Sequence, residues 1–162
     1  MELKRIESGA VGMSLVEAGK LHFVGAEVVS VLQGISQGFD FVLAVPTDSM
    51  SSKPPTVSAL LVRQDPPIRG ARDLEGKSIA TNALNNFVWL TVREWARRNG
   101  ADVTKIHFRE VPFPQMPDAL INNLVDAAHM WEPFVSVTMA TGKARVLSYP
   151  LLDIRPGMQF AF

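Results

Sequence analysis

The sequence predicts an α/β fold, and three observations carry that prediction. Apolar residues recur along the chain with a period near two in some stretches and about 3.6 in others, the spacings of strands and helices in turn. Glycines punctuate the ends of the helical stretches, at Gly19, Gly38 and Gly100. The chain also overlays on itself. Leu15 to Leu43 matches Ala119 to Leu147, so that Leu21 to Val24 meets Val125 to Ala128, Val31 meets Val135, Gly38 meets Gly142, and Val42-Leu43 meets Val146-Leu147. Both parts then follow one order of helix, strand, helix, strand.

The elements follow from these patterns in order. A helix is expected over Val11 to Ala18, stopped by Gly19, then a strand at Leu21 to Val24. Glu27 to Ser36 reads as a second helix closed by Gly38, and Phe41 to Val45 as the next strand. The polar run PTDSMSSKPP reads as a loop, and Val57 to Arg63 as an extended segment. After QDPPIRG comes a short buried strand at Ser78 to Thr81. The longest helix covers Asn86 to Asn99, with Val88, Val92, Trp95 and Ala96 on its buried side and Arg93, Arg97 and Arg98 in its last turns, where cations suit the helix dipole. A strand at Ile106 to Val111, a helix at Asp118 to Asn123, a strand at Val125 to Met130, a helix at Glu132 to Thr141 and a strand at Arg145 to Ser148 complete the reading.

One motif invites a different conclusion. Gly76-Lys77-Ser78 would end a phosphate loop, but the first glycine of that loop would fall at Ala71, and a strand rather than a helix follows the serine. Asp73 and Gly76 instead make a turn, and Asn82 to Asn86 a polar loop.

Composition narrows the function classes. In 162 residues, 47% are hydrophobic and 20% charged, enough for one domain or two small lobes. Net charge is zero with basic residues scattered, so no nucleic-acid stripe is present. With zero cysteines, disulfides, thiolate metal sites and cysteine nucleophiles fall away together. No apolar run approaches the roughly eighteen residues of a membrane span, and MELKRIESGA has no apolar region of a signal peptide. The chain is expected to be soluble, with no export signal of its own.

The segments DPPIRGARDLEGKSIAT, VPFPQMPDALINNLVDAAHMWEPF and GKARVLS resemble the second lobe of periplasmic substrate-binding proteins of the sulfonate, nitrate and taurine transporter type, a group that includes thiamine-pyrimidine-synthase-like proteins. GAVGMSLVEAGKLHFVGAEVVSVLQGISQG resembles the later part of their first lobe. The resemblance implies a type II periplasmic-binding-protein-like fold of two α/β lobes around a cleft. Residues 1–56 would be a partial first lobe, 57–70 the crossing between lobes, and 71–162 the second lobe. It also implies that the first lobe is incomplete, because an initial strand and helix and a C-terminal return to that lobe are expected to be absent. His22 stands where the family usually carries aspartate at the start of a strand, whereas Asp126 keeps that position in the second half.

The implied function is capture of a small organic molecule, a sulfonate, a carboxylate or aromatic acid, or a pyrimidine-like compound, for an ABC transporter permease. The location implied is periplasmic or extracytoplasmic, with the membrane reached only through the permease. No cofactor, no metal, no nucleic acid and no catalytic residue is expected. An enzyme on the same fold, of the pyrimidine synthase or menaquinone-pathway dehydratase type, and a ligand-sensing regulatory domain are the alternatives.

Candidate ligand-binding residues come from both halves. Thr81, Asn82, Asn85 and Asn86 lie between a strand end and the N-terminus of the long helix, where N–H groups and the dipole attract anions or polar groups, although asparagine there also serves as a plain cap or turn residue. Trp131 can stack on a flat ligand and Glu132 accept its hydrogen bonds. The alternatives are packing between the lobes for Trp131 and self-capping of its helix for Glu132. Phe113 lines a wall or joins the core, and Glu27, opening the second helix, completes the set. His22, His107 and His129 lack metal-ligand spacing and are expected to be satisfied structural histidines. Asp102 and Glu110 are expected to face solvent.

Overall fold

The computed structural model describes residues 6, 9–42, 44, 46–49, 53–65, 68–156 and 159–161. They form two compact units, Met1–Ser49 with Gln159–Phe162, and Met50–Met158.

The larger unit is built on a five-stranded sheet. Its strands are β2 (Ser58–Arg63), β3 (Ser78–Thr81), β4 (His107–Glu110), β5 (Ala127–Trp131) and β6 (Ala144–Ser148), in the spatial order β4-β3-β5-β2-β6. β3 runs parallel to both β4 and β5, while β2 runs antiparallel to both β5 and β6. Helices α3 (Phe87–Arg98), α4 (Met116–Ile121), α5 (Phe134–Ala140) and α6 (Pro150–Ile154) fill the connections.

Both faces of the sheet are covered, which is why the central strands read as apolar runs rather than as alternations. On one face Leu60, Val62, Ile79 and Ala127 pack with Val92, Trp95 and Ala96 of α3. On the other, Ala59, Leu61, Ala80, Ala128 and Met130 pack with Met116 and Leu120 of α4 and Val135 of α5. Leu60, Leu61, Ile79 and Met130 are wholly buried, and truncating any of these to alanine would cost about 2–5 kcal/mol. α6 locks onto α3 through Trp95 Nε1, which donates to Asp153 Oδ2 at 3.0 Å.

In the smaller unit, α1 (Gly9–Glu17) packs on α2 (Val28–Ser36) around Met13, Ala26 and Val31. Close approach depends on two glycines. A Cβ at Gly12 would run into Val24 Cγ2, and one at Gly34 would lie 2.8 Å from Phe41 Cε2. β1 (Pro46–Ser49) pairs antiparallel with β7 (Gln159–Ala161).

Several expectations are corrected here. Leu21 to Val24 is not a strand, nor are Phe41, Val42 and Ala44; Leu43 and Val45 lie outside the described residues. A strand persists where neighbours complete its ladder of N–H and C=O groups. Ala127–Trp131 has β3 on one side and β2 on the other, whereas Leu21 to Val24 pairs with neither sheet. The overlay of the two parts therefore holds for the helices and for the positive-φ turns at Gly38 and Gly142, and fails for the strands.

The polar run expected as a loop contains β1, and Met50 to Ser52 of it lie outside the described residues. The extended segment expected over Val57 to Arg63 is found as β2, an interior strand of the larger sheet. Near the C-terminus, Gln159–Ala161 forms β7, which pairs with β1 in the smaller unit.

Candidate functional site

Because β3, β4 and β5 run parallel, the loops that follow them emerge at one edge of the sheet, each leading into a helix. Ser58, at the start of antiparallel β2, belongs to the same edge.

Thr81 ends β3, is fully buried, and donates from Oγ1 to the carbonyl of Ala83 at 3.3 Å. The loop beyond is tied down by its own side chains. Glu110 at the end of β4 accepts from Leu84 N at 2.6 Å, so this exposed carboxylate, expected only to face solvent, also shapes the loop. Asn85 is exposed and turns the chain with φ 59°, a left-handed value that asparagine tolerates better than most residues. Asn86 is the N-cap of α3. Its Oδ1 accepts from Trp89 N at 3.0 Å, and its Nδ2 donates to Asn82 Oδ1 at 3.1 Å. Asn82 and Asn86 thus hold the helix start rigid, presenting amide groups and the positive end of the α3 dipole at this edge.

Trp131 ends β5 directly opposite Ser58 and is partly exposed. Glu132 is exposed and accepts from Ser136 N at 3.1 Å and Ser136 Oγ at 2.9 Å, so it caps the first turn of α5. Phe113 is half-buried against the core and lies near-parallel to Phe134, with ring centroids 6.4 Å apart and an interplanar angle of 10°. The structure therefore brings Thr81, Asn82, Asn85, Asn86, Trp131, Glu132 and Phe113 to one edge of one unit.

Glu27 belongs to the smaller unit. It is the N-cap of α2, accepting from Ser30 N at 2.9 Å and also from Ser30 Oγ. Glu27 and Glu132 therefore do the same work on two helices, each meeting N–H groups that a helix leaves unpaired.

Asp126 just precedes β5. Ser78 N and Ser78 Oγ both donate to its Oδ2 at 2.8 Å, and Arg63 Nη2 lies 3.9 Å from its Oδ1. At this position the aspartate ties β5 to β3. His22, the residue in the corresponding place, is exposed and outside any strand.

His129 overturns one expectation. Its side chain is wholly buried, yet neither ring nitrogen has a hydrogen-bond partner, and Ser58 Oγ has none either. Burial alone pushes its pKa down to about 3, so the ring is neutral near pH 7. Its burial, though not its lack of a partner, was legible in the sequence: His129 sits within the otherwise apolar run Ala127 to Met130. Among the described residues, no group of three or more His, Asp or Glu is placed to hold a metal ion.

Among known folds, the chain is similar to the periplasmic aliphatic sulphonate-binding protein SsuA of Escherichia coli, with a TM-score of 0.73 at 19% identity over 96% of this chain and 51% of that one. It is similar also to the alkanesulfonate-binding SsuA of Xanthomonas axonopodis pv. citri bound to MOPS, with a TM-score of 0.73 at 20% identity over 88% of this chain and 48% of that one. A ligand-binding component of an ABC-type import system from Staphylococcus aureus matches with a TM-score of 0.71 at 13% identity over 98% and 53% of the two chains. This chain spans about half the length of those proteins. No curated protein sequence matches it. At these identities the likeness establishes a periplasmic-binding-protein-like α/β fold. The NMT1/THI5-like family matches residues 2–156, nearly the whole chain, and the chain belongs to that family.

Proposed function

We propose that this chain captures a small organic molecule as part of the solute-binding component of an ABC-type importer, working outside the cytoplasm with a membrane permease. The observation that carries this reading is the convergence of the Asn-capped N-terminus of α3, Thr81 and Trp131 at one sheet edge. A rigid donor-rich helix end beside an indole suits a ligand with a polar head and a flat or apolar body. Membership of the NMT1/THI5-like family and the likeness to sulfonate-binding SsuA proteins support the same assignment.

Alkanesulfonates, aromatic carboxylates and aminopyrimidines are the classes to screen. The protein does no chemistry on the ligand in this reading, so the compound leaves unaltered. A thermal-shift screen over those classes tests it, because a ligand bound only by the folded state raises stability by about RT ln(1 + [L]/Kd). One class should raise the Tm in a dose-dependent way, and mass spectrometry should recover it unchanged. A folded protein that responds to none of them would defeat the importer reading, and a chemically converted compound would point to an enzyme on this fold.

A further inference from the structure

On the sheet face that α3 packs against, the buried layer at the ends of β3 and β5 is polar where the rest of that face is apolar. Directly opposed residues in a sheet share a face, as do residues two apart in one strand. The pairing of Ser58 with Trp131, Leu60 with His129 and Ile79 with Ala127 therefore puts Ser58, Thr81, His129 and Trp131 on the α3 face. Ser58 is 1% exposed, and Thr81 and His129 are 0% exposed. Deeper on this face the neighbours are Leu60, Ile79, Ala127 and Val92, an ordinary core.

Three polar atoms of this layer are unpartnered: Ser58 Oγ, His129 Nδ1 and His129 Nε2. Native proteins rarely keep buried polar atoms unpaired, and each such atom calls for a partner. Thr81 Oγ1 spends its proton on the Ala83 carbonyl and keeps lone pairs to accept with.

We propose that Ser58, Thr81 and His129 form a binding site for one small uncharged hydroxyl group, either an ordered water or the O–H of a ligand seated at the sheet edge above. A hydroxyl both donates and accepts. A neutral imidazole offers one donor and one acceptor, so a hydroxyl can complement whichever ring nitrogen faces it. Ser58 and His129 are diagonal neighbours across β2 and β5, about 7–8 Å apart at Cα, a span that one bridging oxygen fits between their side chains. Buried waters typically make about three hydrogen bonds, the number of side chains available here. A charged group does not suit the site, because among the described residues no charged side chain lies in this layer and the buried ring stays neutral. Where the hydroxyl belongs to a ligand, the inference rests on the binding role proposed above.

The experiment uses the 162-residue chain labelled with nitrogen-15. Long-range proton–nitrogen correlation reads the His129 ring, and magnetisation transfer from water reads its contacts, in the free protein and with ethanesulfonate or 2-hydroxyethanesulfonate added. The expected result is one neutral tautomer with a slowly exchanging ring N–H in contact with water, and loss of that contact in Ser58→Ala. A ligand hydroxyl as the occupant would show as displacement of the water contact by 2-hydroxyethanesulfonate and not by ethanesulfonate; water as the occupant, as a contact that neither disturbs. A ring with no water or ligand contact under any condition, or one unaffected by Ser58→Ala, would overturn the proposal. If the water contact is present while neither sulfonate binds, the hydroxyl site stands and sulfonates drop out as ligands.

Discussion

Asp126 and Ser78 hold each other across the sheet by exchanged hydrogen bonds. Ser78 N and Oγ each donate to Asp126 Oδ2 at 2.8 Å, and Asp126 N returns a bond to Ser78 O at 3.0 Å. Burial raises the Asp126 carboxyl, but those bonds and the charges of Lys77 and Arg63 outweigh it and hold the group below the ordinary aspartate value of 3.8. A carboxyl depressed in the fold contributes stability that is complete above its unfolded pKa and is lost as pH falls through the folded one. Asp126→Ala should cost about 1.5–3 kcal/mol at neutral pH, the range for loss of hydrogen bonds to a charged group. Denaturant melts should also show that Asp126→Asn loses less stability than the parent protein as the pH falls below 3.8.

His129 sets a second, higher acid threshold. Its folded pKa of about 3 lies below the ordinary 6.5, so the unfolded chain takes up a proton that the folded chain refuses between those values. Stability is complete above pH 6.5 and falls as the pH drops towards 3, by about 1.4 kcal/mol per pH unit once the unfolded imidazole is protonated. His129→Leu should flatten the stability profile between pH 6 and 5, measured by urea unfolding. An unchanged slope would mean that the ring reaches solvent.

Asn86 separates capping from loop bracing. Asn86→Ala loses the acceptor for Trp89 N and should destabilise the protein by about 0.5–2 kcal/mol. Asn86→Asp keeps that acceptor and loses only the donor to Asn82, so its melt should lie closer to the parent protein. Equal losses in the two variants would show that the Asn82 contact, and not the cap, carries the effect.

Trp131 tests the binding reading. With a ligand identified by the screen, Trp131→Ala should weaken binding by about 1–3 kcal/mol while the protein stays folded. Calorimetric titration alongside a thermal melt checks both. Parent affinity in a folded variant would remove the indole from the site.

The smaller unit exposes apolar side chains, with Phe23 82%, Val42 88% and Leu32 60% exposed. Such a surface binds hydrophobic dyes and promotes association. The chain should therefore enhance dye fluorescence and sediment in a concentration-dependent way, and Leu32→Glu with Phe23→Ser should reduce both. A dye-negative monomer would contradict this.

The order of helices and the turns between them were legible in the sequence because they depend on neighbours a few residues away. α3 runs from its Asn86 cap to Asn99 as its apolar spacing foretold, and Gly19, Gly38 and Gly100 take the positive φ that ends a helix. The Asn loop, Trp131 and Glu132 were recognisable as a group because each sits where a strand gives way to a helix. Strands were decided elsewhere. LHFV and VDAA look alike, yet only the chain following Asp126 is a strand, since only there do β3 and β2 supply partners on both sides. Ser58–Arg63 likewise showed its apolar character but not its place between β5 and β6. The isolation of His129 was invisible for the same reason: whether a buried ring has a partner depends on side chains dozens of residues away, which meet it only once the sheet has closed around it.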